Sequence, residues 1–331
     1  MRARRLAVLT AAALAFALPV PAGAAPTWLL PPGTVSDPAV DSSWQQVDTN
    51  ARGDTIAVWH TSGAGLIQAA WRPAGGVWAS PVPVSDPTHF SQEAHVGLDE
   101  AGNATVVWRD TAGKDSIQVR TRAADGTWGA PAPLSDPAAD AFHPSLAVAP
   151  DGSAVVAWYE LTAGSEFLVR AAYRPAAGAF EAATTLSTGT ESFDPEVATG
   201  GGLTAVAWRD RSSGTNIITA TVRVAGGSWQ PLQLLSAPGG DAQDAAVAVD
   251  SAGVASVAWR RDDGTRNVVQ SRTRDTSGLW ASVQEVSGPV ASSNPAIART
   301  EYGSGTMLLP ITSERPPIAC RNSRHRSGES R

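Results

Sequence analysis

Ten of the twelve tryptophans fall on two ladders of nearly constant step, which limits the possible folds more than any other feature. The first ladder is Trp59, Trp108, Trp158, Trp208 and Trp259, with steps of 49, 50, 50 and 51 residues. The second is Trp28, Trp78, Trp128, Trp229 and Trp280, with Phe180 at the missing rung. Around the first ladder one hairpin recurs, as "LDEAGNATVVWRD", "VAPDGSAVVAWYE", "VATGGGLTAVAWRD" and "VDSAGVASVAWRR". Self-similarity at this period marks a repeat architecture in which no unit can bury its own faces alone.

Each repeat reads as four short strands. In the second, "HVGLD", "ATVVW", "SIQVRTR" and "TWGAPAPLS" are separated by turn signals, among them Asp125-Gly126. The first two are apolar on both faces and need a covering layer on each side. The third alternates Ile117, Val119 and Thr121 with Gln118, Arg120 and Arg122, as a strand nearer water would. Sheets set side by side around an axis meet both demands, and each ladder Trp then fills a wedge between neighbours. The expected fold is all-β, a six-bladed β-propeller of ~50-residue, four-stranded repeats starting near Trp28, Trp78, Trp128, Phe180, Trp229 and Trp280. The segment Trp28–Ser36 resembles a lone fourth strand and would close the ring. It would complete a last blade begun by "NPAIA" and "GTMLLP".

The ends read differently. Residues 1–25 combine Arg2, Arg4 and Arg5 with a short apolar run and a small-residue cleavage site, which predicts a secretory signal. The expected domain spans residues 26–310, followed at 311–331 by an irregular basic tail holding Cys320, the sole cysteine, with truncation or a reading-frame change as one explanation. Removing both ends takes eight arginines and two glutamates and leaves 29 acids against 17 bases, a net −12. A body of that sign repels phosphates, so no nucleic-acid partner is expected. No later stretch has the apolar length of a membrane span. The expectation is a secreted monomer with a carbohydrate or extracellular protein as partner. No cofactor or metal is expected, because His60, His95 and His143 are too scattered for zinc.

If the first strand leaves one face and the second returns to it, two sets of residues share that face. Ahead of the first strands stand Trp44, Glu93, His143, Asp194, Asp244 and Asn294. Just beyond the ladder Trp come His60, Arg109-Asp110, Tyr159-Glu160, Arg209-Asp210 and Arg260-Arg261. A funnel lined by Trp44, Glu93, His143, Asp194, Asp244, Asn294, Arg109, Tyr159, Arg209 and Arg260 is where a propeller would hold a polar ligand. The same residues also suit turn formation and solvated ion pairs, and that alternative stays open.

The turn before each second-ladder Trp resembles the Asp box of the sialidase-like (BNR-repeat) propellers, Ser-x-Asp-x-Gly-x-Thr-Trp. Thr273, Asp275 and Trp280 match, with Gly278 one place late, and Thr121, Thr127 and Trp128 match in the second repeat, with Ala123 where the Asp would stand. The family's catalytic members share an Arg-Ile-Pro start and a Tyr/Glu nucleophile pair. Here no Arg-Ile-Pro occurs, and the tyrosines are Tyr159, Tyr173 and Tyr302. The resemblance implies a non-catalytic, secreted bacterial member that binds a glycan, a peptide or a cell-wall component. Two other readings are a glycan-active hydrolase or lyase, with Asp194, Asp244 or Glu93 as acid/base and Arg109, Arg209 or Arg260 gripping an anionic sugar, and a truncated remnant without function.

Overall fold

The computed structural model describes residues 33–262, 264–287, 295–299 and 306–310. Five sheets of four antiparallel strands follow one another along the chain, each in sequential order from the inside out. The first sheet holds β1 (Ser42–Thr49), β2 (Thr55–Thr61), β3 (Leu66–Arg72) and β4 (Val82–Pro83), and the second β5 (Ser91–Leu98), β6 (Ala104–Asp110), β7 (Ser116–Arg122) and β8 (Ala132–Pro133). The third holds β9 (Asp140–Val148), β10 (Ala154–Leu161), β11 (Phe167–Arg174) and β12 (Thr184–Thr185). The fourth holds β13 (Ser192–Gly200), β14 (Leu203–Asp210), β15 (Ile217–Val224) and β16 (Gln233–Leu234). The fifth holds β17 (Asp241–Val249), β18 (Ala255–Asp262), β19 (Asn267–Arg274) and β20 (Gln284–Glu285). A two-stranded sheet of β21 (Pro295–Arg299) and β22 (Thr306–Pro310) ends the series. These two strands are the expected start of a sixth repeat. Most of the expected closing segment and all of the basic tail lie outside the described residues, and Gly33–Ser36 form no strand. No helix occurs among the described residues, so none there is long and apolar enough to cross a membrane.

Burial follows the sequence pattern. Ala104, Thr105, Val106, Val107 and Trp108 of β6 are all buried, whereas along β7 Ile117 and Val119 are buried and the residues between them are not. From the second sheet onward, each first-ladder Trp packs on the sheet before its own. Trp108 joins Ile56, Val58 and Ile67; Trp158 joins Val107, Ile117 and Val119. Trp208 joins Val155, Ala157 and Val169, and Trp259 joins Ala207, Ile218 and Ala220. Second-ladder rings cap the same wedges from further out, as Trp229 does beside Trp208. Successive sheets thus share one apolar layer apiece, and the first strands β1, β5, β9, β13 and β17 lie side by side at the centre.

The fourth strands are shorter than the sequence suggested, two residues each. Prolines such as Pro81, Pro83, Pro131 and Pro133 withhold amide donors from this outer edge. A serine completes the ladder instead. The Oγ of Ser85, Ser135, Ser187, Ser236 and Ser287 accepts from the amides of Ile67, Ile117, Val169, Ile218 and Val269, all at 2.9–3.1 Å. The Asp-box-like turn is structural here too: Asp275 Oδ1 accepts from the amides of Ser277 and Leu279, and Gly278 takes φ 93°.

Candidate functional site

In each of the five four-stranded sheets the pairing of the first with the second strand slips at one place. Residues 44–45, 93–94, 143–144, 194–195 and 244–245 each oppose a single residue, and that residue is always the ladder Trp. The first residue of each pair is left-handed: Trp44 (φ 51°), Glu93 (55°), His143 (49°), Asp194 (52°) and Asp244 (54°). This corrects the expectation that these residues precede the strand; they lie inside it, in a β-bulge of the kind that ordinarily takes glycine. Asp and His tolerate the left-handed region, which is why they read as turn formers in the sequence, but a Trp or Glu there is strained by about 1–2 kcal/mol.

The bulge turns each of these side chains toward the residue that follows the ladder Trp. Arg109 Nη2 donates to Glu93 Oε1 at 3.0 Å, Arg209 Nη2 to Asp194 Oδ2 at 2.9 Å, and Arg260 Nε to Asp244 Oδ2 at 2.7 Å. In the other two sheets the pair is aromatic: His143 stacks on Tyr159 with centroids 5.5 Å apart, and Trp44 tilts over His60 at 5.2 Å. The two residue sets inferred from sequence are therefore one set of five pairs. Asn294 lies outside the described residues. Links also cross between sheets, since Glu93 Oε2 accepts from the His143 amide at 3.2 Å and His143 Nδ1 lies 4.0 Å from Asp194 Oδ1.

A cavity of about 430 Å³ opens among β1, β5, β9 and β13, and Trp44, Glu93, His95, His143, Asp194 and Glu196 line it. Four of the expected residues meet there. Arg109, Arg209 and Tyr159 stand behind their partners, and Asp244 holds the same bulge position in the fifth sheet. Burial pushes the Tyr159 phenol up to about 12, with the nearby Asp194 and Glu93 adding to this, so it remains a neutral donor at physiological pH. Glu160 departs from the expected rim position: it is 2% exposed and turned away beneath Trp158. No group of three His, Cys, Asp or Glu side chains among the described residues could hold a metal ion.

Two wall residues were not singled out from sequence as ligand contacts. Burial holds the His95 imidazole below its usual range, opposed by Glu93, so it is neutral. Glu196 is open to the cavity, yet desolvation among the surrounding inner strands pushes its carboxyl up to about 7, against the lowering effect of its hydrogen bond from Ser145. A carboxyl raised in the folded chain holds its proton there more tightly than in the unfolded chain. Stability therefore falls as pH rises from 4.5 through about 7. Thermal melts across this window should show the fall in the native chain and a flatter profile in Glu196→Gln; parallel profiles would remove the assignment.

A larger cleft of about 800 Å³ lies further out, between the second and third sheets. Its arginines are already committed. Arg120 donates to the carbonyls of Pro83, Val84 and Gly129, and Arg174 to that of Gly152, so the cleft offers a ligand little directed chemistry.

Neither a family model nor a curated protein matches the sequence. Solved structures do match in fold. A lectin from Burkholderia pseudomallei is similar with a TM-score of 0.56 at 16% identity, over 73% of this chain and 69% of that one. An α-L-arabinanase from Penicillium chrysogenum, complexed with arabinobiose, matches with a TM-score of 0.50 at 13% identity, over 78% and 84%. A polysaccharide lyase described as an ulvan lyase matches with 0.51 at 9% identity, over 76% and 73%. Identities this low speak to architecture alone, and together with the recurring sheets they make the chain an all-β repeat protein of β-propeller-like fold.

Proposed function

We propose that the chain is a secreted, monomeric binding propeller that recognises a carbohydrate, or a wall component containing one, at the central cavity. Residues 1–25 are removed on export in this reading. The carrying observation is the set of five left-handed bulges. A fold that needed only a kink would place glycine at each, yet Trp44 and Glu93 occupy strained positions and are turned toward one shared mouth. Trp44 is 52% exposed there, an aromatic surface available to a sugar ring. A lectin among the fold's likenesses is consistent with this reading.

A glycan array probed with the native chain, Trp44→Gly and Asp194→Asn tests it. Trp44→Gly releases about 1–2 kcal/mol of left-handed strain, offset in part by glycine's freedom in the unfolded chain. Its melting temperature should hold or rise while array signal is lost. Equal signals from all three proteins would end the proposal.

A glycan-active hydrolase or lyase is favoured by one observation. Glu196 is protonable near neutrality and shares the cavity with Asp194, the arrangement a general acid requires. Release of new chain ends from a polysaccharide, abolished in Glu196→Gln, would establish it.

A further inference from the structure

Charge order at the cavity wall carries a statement about the ligand. Three carboxylates, Glu93, Asp194 and Glu196, line the cavity, and no Lys or Arg among the described residues does. The arginines that could grip an acidic sugar stand behind the carboxylates with their Nη donors turned onto protein partners. Arg109 also reaches Asp115 at 3.4 Å and lies over the Phe142 ring at 5.5 Å, while Arg209 also reaches Asn216 at 3.3 Å and lies over Phe193 at 4.9 Å. Arg260 is held by Asp244, Asn267 and Gln243. An anion entering the mouth meets carboxylate oxygens before any guanidinium.

A cation meets the reverse. Glu196 Oε2 accepts from Ser145 Oγ at 3.1 Å, but its Oε1 accepts nothing among the described residues. Asp194 Oδ2 takes both contacts from Arg209, leaving Oδ1 with only His143 at 4.0 Å. The neutral His95 ring faces the same space with no hydrogen-bond partner among the described residues. Unspent acceptors converging beside the exposed Trp44 ring suit an ammonium group, which needs acceptors and gains from an aromatic face.

We infer that the cavity selects a glycan carrying free amino groups, such as a glucosamine oligomer, over its acetylated or acidic counterparts; this rests on the carbohydrate reading above. The cavity's volume lies in the range of small-ligand sites, enough for a few sugar residues at most. The body's net charge of −12 draws the same class of ligand toward it.

Calorimetric titration of the full chain tests this with four probes: a β-1,4-glucosamine tetramer at a pH where its amines are charged, the N-acetylated tetramer, a tetragalacturonate and a lysine-rich peptide. The amine tetramer should bind at least about tenfold more tightly than the acetylated one, with the acid tetramer silent and the preference weakening with added salt. Asp194→Asn, which conserves size, should cut the preference while melting cooperatively; Glu196→Gln is the second variant, with the smaller effect because that carboxyl largely holds its proton where the amines are charged. If the acetylated or acidic tetramer binds as well or better, and Trp44→Gly abolishes that binding, the charge inference falls and the carbohydrate reading stands. If no sugar binds, or the peptide alone does, both fall.

Discussion

Replacing Trp208 with Ala lowers the unfolding free energy by about 3–5 kcal/mol, the largest loss expected from any single ladder position. The ring is fully buried and sits between the third and fourth sheets, against Val155, Ala157 and Val169. A Trp buries 150–250 Å², so at 25 cal/mol per Å² burial contributes roughly 4–6 kcal/mol, and the wedge cannot collapse because both its walls are paired sheets. Partial controls separate packing from polar effects. The Trp208 indole N–H has no hydrogen-bond partner in the structure, so Trp208→Phe loses volume alone and costs much less. Trp229 shares the wedge but is only half-buried, so Trp229→Ala should cost about 1–2 kcal/mol. Denaturant titration measures all three. A Trp208→Ala loss below about 1 kcal/mol would mean that neighbouring sheets do not depend on the ladder for cohesion.

The wedge was legible in the sequence because two requirements coincide there. Strands buried on both faces show as unbroken apolar runs, as in residues 154–158, and a ring repeated every 50 residues needs a repeated place to go. The bulge was not legible. In three of the five sheets its left-handed first residue has the composition of a turn, Asp or His followed by Pro or Ala, so the sequence places the strand's start after Asp194 although β13 begins at Ser192. The available signal was the count: in each of the five four-stranded sheets the first strand carries one residue more than its partner opposite the Trp. Glu196 and His95 were missed for a related reason. Once the bulge is left out of the strand, nothing in the sequence says which face later residues take, and a slip of one residue exchanges the faces. The serines that end the fourth strands recur with the period, yet a small polar residue before a loop looks like loop chemistry, and only its partner amide shows otherwise.

The third sheet makes a second large prediction, because there alone a charge pair replaces neutral contacts beneath a ladder ring. Opposite the five Trp on the third strands stand Gln68, Gln118, Arg170, Thr219 and Gln270. Arg170 occurs where Glu160 does: Glu160 Oε1 lies 3.2 Å from Arg170 Nη2, and Glu160 Oε2 accepts from the Trp158 indole at 3.2 Å. Arg170→Gln restores the neutral residue of the other sheets but strands a buried carboxylate, at a cost of about 3 kcal/mol, the low end for a buried pair because the guanidinium is a quarter exposed. Adding Glu160→Gln should recover most of that loss, to within about 1 kcal/mol of the native chain, since the pair's attraction roughly offsets its desolvation. Tyr159 stands between Trp158 and Glu160 with its ring on His143, so on the proposed carbohydrate reading Arg170→Gln should weaken binding as well and the double variant should regain it. A double variant no more stable than Arg170→Gln would show that Arg170 acts through packing of its stem, and the pairing of Glu160 with Arg170 would then explain nothing about this sheet.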